Sequence, residues 1–188
     1  MNKRPDITDM TRAQLVEAFC HLYKEAPVEK ITVKQITELA GYNRITFYRY
    51  FKDVYDILDY VEDNFLSYAF QRIAAAIQNG IKHEEFIDAF IHLMTEKKGC
   101  VEALMSGSNV NHTIEKIKKT MVPAVMKSFG ISEEDLQCRY VFEFYVSGVL
   151  SVCSTWLQNG YDLSQDRIVD VIEGFLKGGA LPQIKNIS

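Results

Sequence analysis

The sequence predicts an all-α chain. Apolar residues recur at three- and four-residue spacing along most of its 188 residues, and no convincing strand pattern interrupts them. About nine helices can be traced, separated by breaks rich in Gly, Pro, Ser and Asn. Between residues 31 and 52, two short capped helices are joined by a tight glycine turn. Hydrophobic residues make up 47% and charged residues 24%, ordinary values for a globular protein of one or two domains.

The first helix is expected over 8–25, with Leu15, Ala18, Phe19 and Leu22 on one stripe. Thr8 stands at its start and Pro27 just past its end. In the second, Thr32 and Gln35 have the spacing of a capping box, in which each side chain satisfies the other's free backbone N–H. Ile31 and Ile36 occupy the two positions of a hydrophobic staple. Ile36, Leu39 and Ala40 are predicted to face inward, and Gly41 to end the helix in the left-handed conformation. Asn43 caps a third helix expected over 44–50, with Phe47 and Phe51 inward.

Arg44, Ile45, Thr46, Tyr48, Arg49 and Tyr50 are left for the outer faces and flanks. Such a pair is a helix-turn-helix, a device that sets one helix in the major groove of DNA. Arg bonds guanine edges bidentately, and Tyr and Thr hydroxyls bond phosphate. The plainer alternative is a surface helix of an ordinary bundle. The crowding Phe47-Tyr48-Arg49-Tyr50-Phe51 beside two arginines weighs against it, because a solvated face rarely exposes so many aromatics.

The fourth helix is long, 54–79, with Ile57, Leu58, Val61, Phe65, Tyr68, Ala69 and Ile73 inward. It continues directly from the helix-turn-helix and is the expected mechanical link between head and body. A fifth is expected over 83–96 and a short sixth over 100–106, before the break at Ser106-Gly107-Ser108-Asn109. The seventh, 110–128, contains Pro123, where a kink is expected. Ser132 is predicted to cap the eighth, 133–159, which stops at Asn159-Gly160; Ser164 caps the ninth, 165–178.

Ser147, Gly148, Ser151, Ser154 and Thr155 place small residues along neighbouring faces of the eighth helix, and Gly174 and Gly178 stand four apart in the ninth. Small residues let helices approach closely, and a mid-helix glycine costs about 1 kcal/mol relative to alanine. Two readings stand: an interface between two copies of this helix pair, or close packing inside one chain. The body is also rich in Phe90, Met94, Met105, Met121, Phe144 and Tyr145, side chains that line apolar pockets and equally fill ordinary cores.

Net charge is −4, but its distribution matters more. Residues 1–55 carry nine Lys/Arg against seven Asp/Glu, and the remainder twelve against eighteen. A polyanion is drawn to one end and repelled by the other. Cys20, Cys100, Cys138 and Cys153 form no CxxC pair, so no metal site is expected, and they read as thiols of a reducing cytoplasm. No apolar run is seen to approach the roughly 20 residues of a bilayer span, and the N-terminus lacks the apolar stretch of a secretory signal. A cytoplasmic protein without membrane contact is expected. No nucleophile–base pairing, phosphate loop or metal-ligand spacing points to an enzyme, and no cofactor is implied; Glu84, Glu85 and Glu143 fit solvated faces.

The run Ile31-Thr-Val, Ile36, Ala40-Gly41 and Thr46-Phe47-Tyr48-Arg49-Tyr50-Phe51-Lys52 resembles the DNA-binding domain of the TetR/AcrR family of bacterial transcription regulators. The resemblance covers about residues 8–60. It implies a three-helix DNA-binding head over 1–53 and a larger helical body over 54–188 that binds an effector and dimerises through the last two helices. It also implies that Tyr42, Asn43, Arg44, Ile45, Tyr48, Arg49 and Tyr50 face DNA and that Thr32 caps and touches phosphate. Lys52, with Arg49, is the expected backbone contact, since Val54 stands where many members carry a phosphate-binding Lys. The function so implied is a homodimeric repressor released from a palindromic double-stranded operator by a small apolar or aromatic effector. The alternative is a regulator or co-activator whose body binds a protein partner.

Overall fold

The computed structural model describes residues 5–78, 91, 98–106, 110–128, 130–132 and 134–178. Among them are eight α-helices and no strand: α1 Pro5–Glu25, α2 Val33–Ala40, α3 Arg44–Phe47, α4 Val54–Gln78, α5 Lys98–Ser106, α6 Val110–Ser128, α7 Leu136–Gln158 and α8 Gln165–Gly178. A single 3₁₀ turn, Val28–Lys30, joins α1 to α2. The all-α expectation holds. The helix expected over 83–96 lies outside the described residues except for Ile91, and so do Phe90 and Met94.

The chain divides into two compact units, residues 1–65 with 97–113 and residues 66–96 with 114–188. Packing therefore carries the first unit beyond residue 53, where the sequence suggested a division. Its core is built by Leu15, Phe19 and Tyr23 of α1, Ile36 of α2, Phe47 and Phe51, Ile57 and Val61 of α4, and Val101, Leu104 and Met105 of α5, all buried. Phe19 and Tyr23 stack with ring centroids 5.3 Å apart. α1 is the hub, packing against both α2 and α5. Glu62 of α4 is buried as well, accepting a hydrogen bond from the Thr113 hydroxyl at 3.1 Å and lying 3.4 Å from Nδ1 of His112.

In the second unit Leu66 and Ala69 of α4, Ile117, Met121, Val122 and Met126 of α6, Leu150, Cys153, Trp156 and Leu157 of α7, and Ile168 and Ile172 of α8 are buried. Lys118 ties α6 to α7, 2.8 Å from Glu115 and 2.5 Å from Glu143. The turn after α7 is pinned by the Trp156 indole, which donates to the Leu163 carbonyl at 2.8 Å. Tyr161, in the left-handed region at φ 63°, sets its ring edge-on to Trp156 at 5.0 Å. That aromatic contact holds a backbone geometry unfavourable to a side chain with a Cβ.

Several local expectations are corrected. Asp135, not Ser132, caps α7, accepting the Cys138 N–H at 3.0 Å; the Ser132 hydroxyl instead accepts from Glu134 in a short turn. Both are good capping residues, and the helix begins at the later one. Ser164 does cap α8, accepting the Arg167 N–H at 3.4 Å. Leu39, expected inward, is 51% exposed, and Ala40 and Tyr68 are only half-buried. Leu39 has the spacing of the inward stripe, yet its side chain stands open to solvent, so periodicity alone misassigned it. One further correction concerns α7, which by length and composition is long and apolar enough to cross a bilayer. It lies inside the second unit, with one side packed and the other exposed.

Candidate nucleic-acid interface

The segment that carries the candidate interface is held by its own caps and turns. The Thr32 hydroxyl accepts the Gln35 N–H at 3.3 Å, and Gln35 Oε1 accepts the Thr32 N–H at 2.9 Å, completing the capping box. At the other end of α2, Gly41 adopts φ 73°. The Tyr42 N–H then reaches the Thr37 carbonyl at 2.8 Å and the Gly41 N–H the Glu38 carbonyl at 3.4 Å, the paired bonds of a Schellman end. Asn43 opens α3 by accepting the Thr46 N–H at 2.9 Å and the Thr46 hydroxyl at 3.1 Å.

α3 is shorter than the 44–50 expected, its α-geometry ending at Phe47. Arg49 and Tyr50 donate to the carbonyls of Thr46 and Phe47, three residues back, in a tighter winding. Phe47 and Phe51 are buried as expected, 5.7 Å apart, and Phe51 meets Tyr60 of α4 edge-on at 5.5 Å. With those rings inward, Arg44, Arg49 and Lys52 are exposed, as are Ile45 at 71% and Tyr48 at 58%. This outer surface pairs cationic donors with apolar and phenolic groups, the combination that meets base edges, thymine methyls and phosphates.

The remaining predicted positions are engaged by the protein itself. The Tyr42 hydroxyl donates to Gln14 of α1. Tyr50 is half-buried, with the Arg12 guanidinium 5.7 Å from its ring centroid and equally far from that of Tyr60. Asn43 and Thr32 are exposed but spend side-chain oxygens on caps, and Thr46 is half-buried with its hydroxyl given to Asn43. Asn43 Oδ1 already accepts two bonds, so a bidentate adenine contact would cost the cap. Val54 is buried and presents nothing outward.

Sequence reasoning missed Arg12, Gln14, Asp53 and Asp56. Asp53 caps α4 through the Tyr55 and Asp56 N–H groups at 2.8 and 2.9 Å, while Asp56 accepts the Lys52 N–H at 2.8 Å. An Asp three residues before another at a helix start was a readable signal. Arg12 and Gln14 offered none, because the tyrosines they hold lie more than 25 residues away along the chain.

A second exposed surface runs along α7. Leu136, Tyr140, Val141 and Phe144 are exposed, as are Gly148, Ser151 and Thr155, with Ser147 half-buried beside them. A side chain at Gly148 would meet no atom within 4 Å, so packing inside the chain does not require this glycine. On α8, Phe175 and Gly178 are exposed and Gly174 is half-buried. Phe144 was expected to line an apolar pocket; it is 75% exposed, and Tyr145 lies edge-on beside it at 5.7 Å. Met105 is buried in the first unit and Met121 in the second. Among the described residues no cluster of His, Cys, Asp and Glu could hold a metal.

Residues 82–178, just over half of the chain, match the TetR-type family model for a transcriptional regulator C-terminal region. No curated protein matches the chain. Among solved structures, it is similar to the fatty acid degradation regulator FadR from Bacillus halodurans, with a TM-score of 0.70 at 16% identity over 96% of this chain and 99% of that one. A TetR/AcrR-family transcriptional regulator from Aquifex aeolicus VF5 superposes with a TM-score of 0.68 at 14% identity, over 89% and 98% of the two chains. A TetR-family regulator from Streptomyces coelicolor gives 0.59 at 15% identity, over 89% and 79%. At these identities the likeness concerns the fold.

Proposed function

Because this chain belongs to the TetR family of transcriptional regulators, we propose that it acts as a homodimer whose two α3 segments enter successive major grooves of a palindromic operator, spaced about 34–36 Å apart. The observation that carries this reading is the exposure of Arg44, Ile45, Tyr48 and Arg49 on a segment whose ends are closed by internal caps. Arg44, Ile45 and Arg49 stand open to solvent there, and the Tyr48 ring meets buried Phe47 edge-on at 5.6 Å. Arg44 is assigned to base edges, with Arg49, Lys52 and the Tyr48 hydroxyl on phosphate. Thr32, Asn43 and Thr46 hold the geometry, with the Asn43 amide N–H groups left to donate outward because both threonine hydroxyls already donate within the chain, and Tyr42 and Tyr50 support the segment from its flank. Residues 1–53 form the DNA-binding part in this reading, and 54–188 serve the effector and the dimer.

The exposed stripe of α7, with α8 beside it, is the proposed dimer seam. Its aromatic side chains flank Ser147, Gly148, Ser151 and Thr155, where a second copy could approach closely. The chain is proposed to repress, and to leave its operator when a small apolar or aromatic molecule binds the C-terminal part. Such a ligand acts only through its difference in affinity for the bound and released conformations. Selection of duplexes from a random pool, followed by titration with the wild-type chain and Arg44→Ala, tests the reading. Enrichment of a palindrome whose binding depends on Arg44 supports it. A pool with no enriched sequence would sink it.

A further inference from the structure

α1 and α5 meet along a seam that brings two thiols together. Cys20 of α1 is buried and Cys100 of α5 is partly exposed; their sulfurs lie 3.4 Å apart, with Cys20 donating its S–H to Cys100. One turn further along α1, Lys24 pairs with Glu102 of α5, so the two helices are tied at two neighbouring points. The sequence gives no hint of the pair, since 80 positions separate the two cysteines.

We propose that Cys20 and Cys100 form a reversible oxidation site, closed to an intramolecular disulfide by hydrogen peroxide. A disulfide needs sulfurs about 2.0 Å apart, so closure takes a movement of about 1.4 Å between helices already in contact. The order of events follows from exposure and hydrogen bonding. Cys20 is shielded and held as a thiol, its ionisation pushed up by the bond to Cys100 and by burial. Cys100 is the sulfur that an oxidant reaches. Its sulfur attacks one peroxide oxygen, giving a sulfenic acid and one water. The Cys20 sulfur then attacks the Cys100 sulfur, the S–O bond breaks, and the thiol proton leaves with the hydroxyl as a second water. Each sulfur loses one electron and the peroxide gains both. The link joins α5 to the helix that carries Arg12 and Gln14, the two residues that brace the α3 segment. The site itself stands whether or not DNA is the ligand.

The test uses the full chain, fully reduced and then treated with a few equivalents of hydrogen peroxide. Alkylation before and after denaturation, intact mass and peptide mapping read the outcome. The expected product has lost two hydrogen atoms, retains two of its four thiols, and yields a Cys20–Cys100 linked peptide that dithiothreitol reverses. Cys138→Ser is expected to form the same product and Cys100→Ser none. Cys100 is partly exposed, so its replacement leaves the core filled, and the wild-type mapping needs no variant. The proposal is overturned if all four thiols of the native chain remain after treatment, if the linked peptides contain Cys138 or Cys153 instead, or if Cys100→Ser still loses two hydrogens.

Discussion

The guanidinium of Arg12 lies 5.7 Å from the centre of the Tyr50 ring, joining the middle of α1 to the end of the α3 segment. The same guanidinium is equally close to Tyr60 of α4, so one cation bridges rings from two parts of the first unit. Asp9 sits 3.9 Å away on the preceding turn. A planar cation between two phenol rings fixes Tyr50 against the protein rather than leaving it for a ligand.

Arg12→Ala is therefore expected to lower stability by about 1 kcal/mol, the scale of partly exposed cation–π contacts. Arg12→Lys keeps the charge without the flat stacking surface and is expected to recover only part of the loss. Urea unfolding of the two variants checks this. Equal stability of all three chains would mean that the stacking contributes nothing.

Asn43 is first a cap. Asn43→Ala is expected to cost about 1 kcal/mol of stability in the absence of DNA, and Asn43→Ser or Asn43→Asp to restore most of it. If all three variants unfold at the wild-type midpoint, the bond to the Thr46 N–H at 2.9 Å is energetically idle.

Arg44 and Lys52 are expected to differ in kind. Arg44→Ala should lose about 1–3 kcal/mol of binding on the preferred operator and less on duplexes altered at the base it reads. Lys52→Ala should weaken all duplexes alike and reduce the salt slope by about 1. Fluorescence anisotropy across salt concentrations and operator variants separates the two. Indistinguishable profiles would refute the assignment of base and phosphate roles.

The α7 face is tested by Gly148→Leu and Phe144→Glu. Space is open at Gly148 and Phe144 is 75% exposed, so neither change disturbs the interior of one chain. Gly148→Leu even gains helix propensity, up to about 1 kcal/mol. Both variants are expected to sediment as folded monomers and to lose operator affinity. Dimers of undiminished strength would place the interface elsewhere.

Alkaline stability carries the mark of Cys153. Burial pushes its thiol from an ordinary 9.0 up to about 12. The unfolded chain therefore ionises first, and the stabilisation, whole below about pH 9, is lost as pH rises toward 12. Cys153→Ala is expected to show a shallower fall in urea midpoint above about pH 9 than wild type, because Cys20, also shifted upward, remains in both. Parallel curves would contradict the burial argument.

Much of the helix-turn-helix was legible because its determinants are local. Thr32 finds Gln35, Gly41 ends α2, and Asn43 finds Thr46, each within a few residues. The α7 start was misread for the same local reason, since Ser132 and Asp135 both suit a cap and only one begins the helix. The α3 surface was half legible. Phe47 and Phe51 were correctly placed inside, yet Tyr50 and Tyr42 turned out to be held by Arg12 and Gln14 from α1.

By itself the sequence determined the helices, their caps and the apolar side of most of them, because backbone hydrogen bonds and side-chain spacing within four residues decide those features. Only the tertiary structure decided which surfaces stay uncovered: Leu39 and Phe144 outward, Tyr50 beneath a distant arginine, Cys20 against Cys100. Covering a surface takes partners from remote stretches of chain, and local spacing carries no record of which partners arrive.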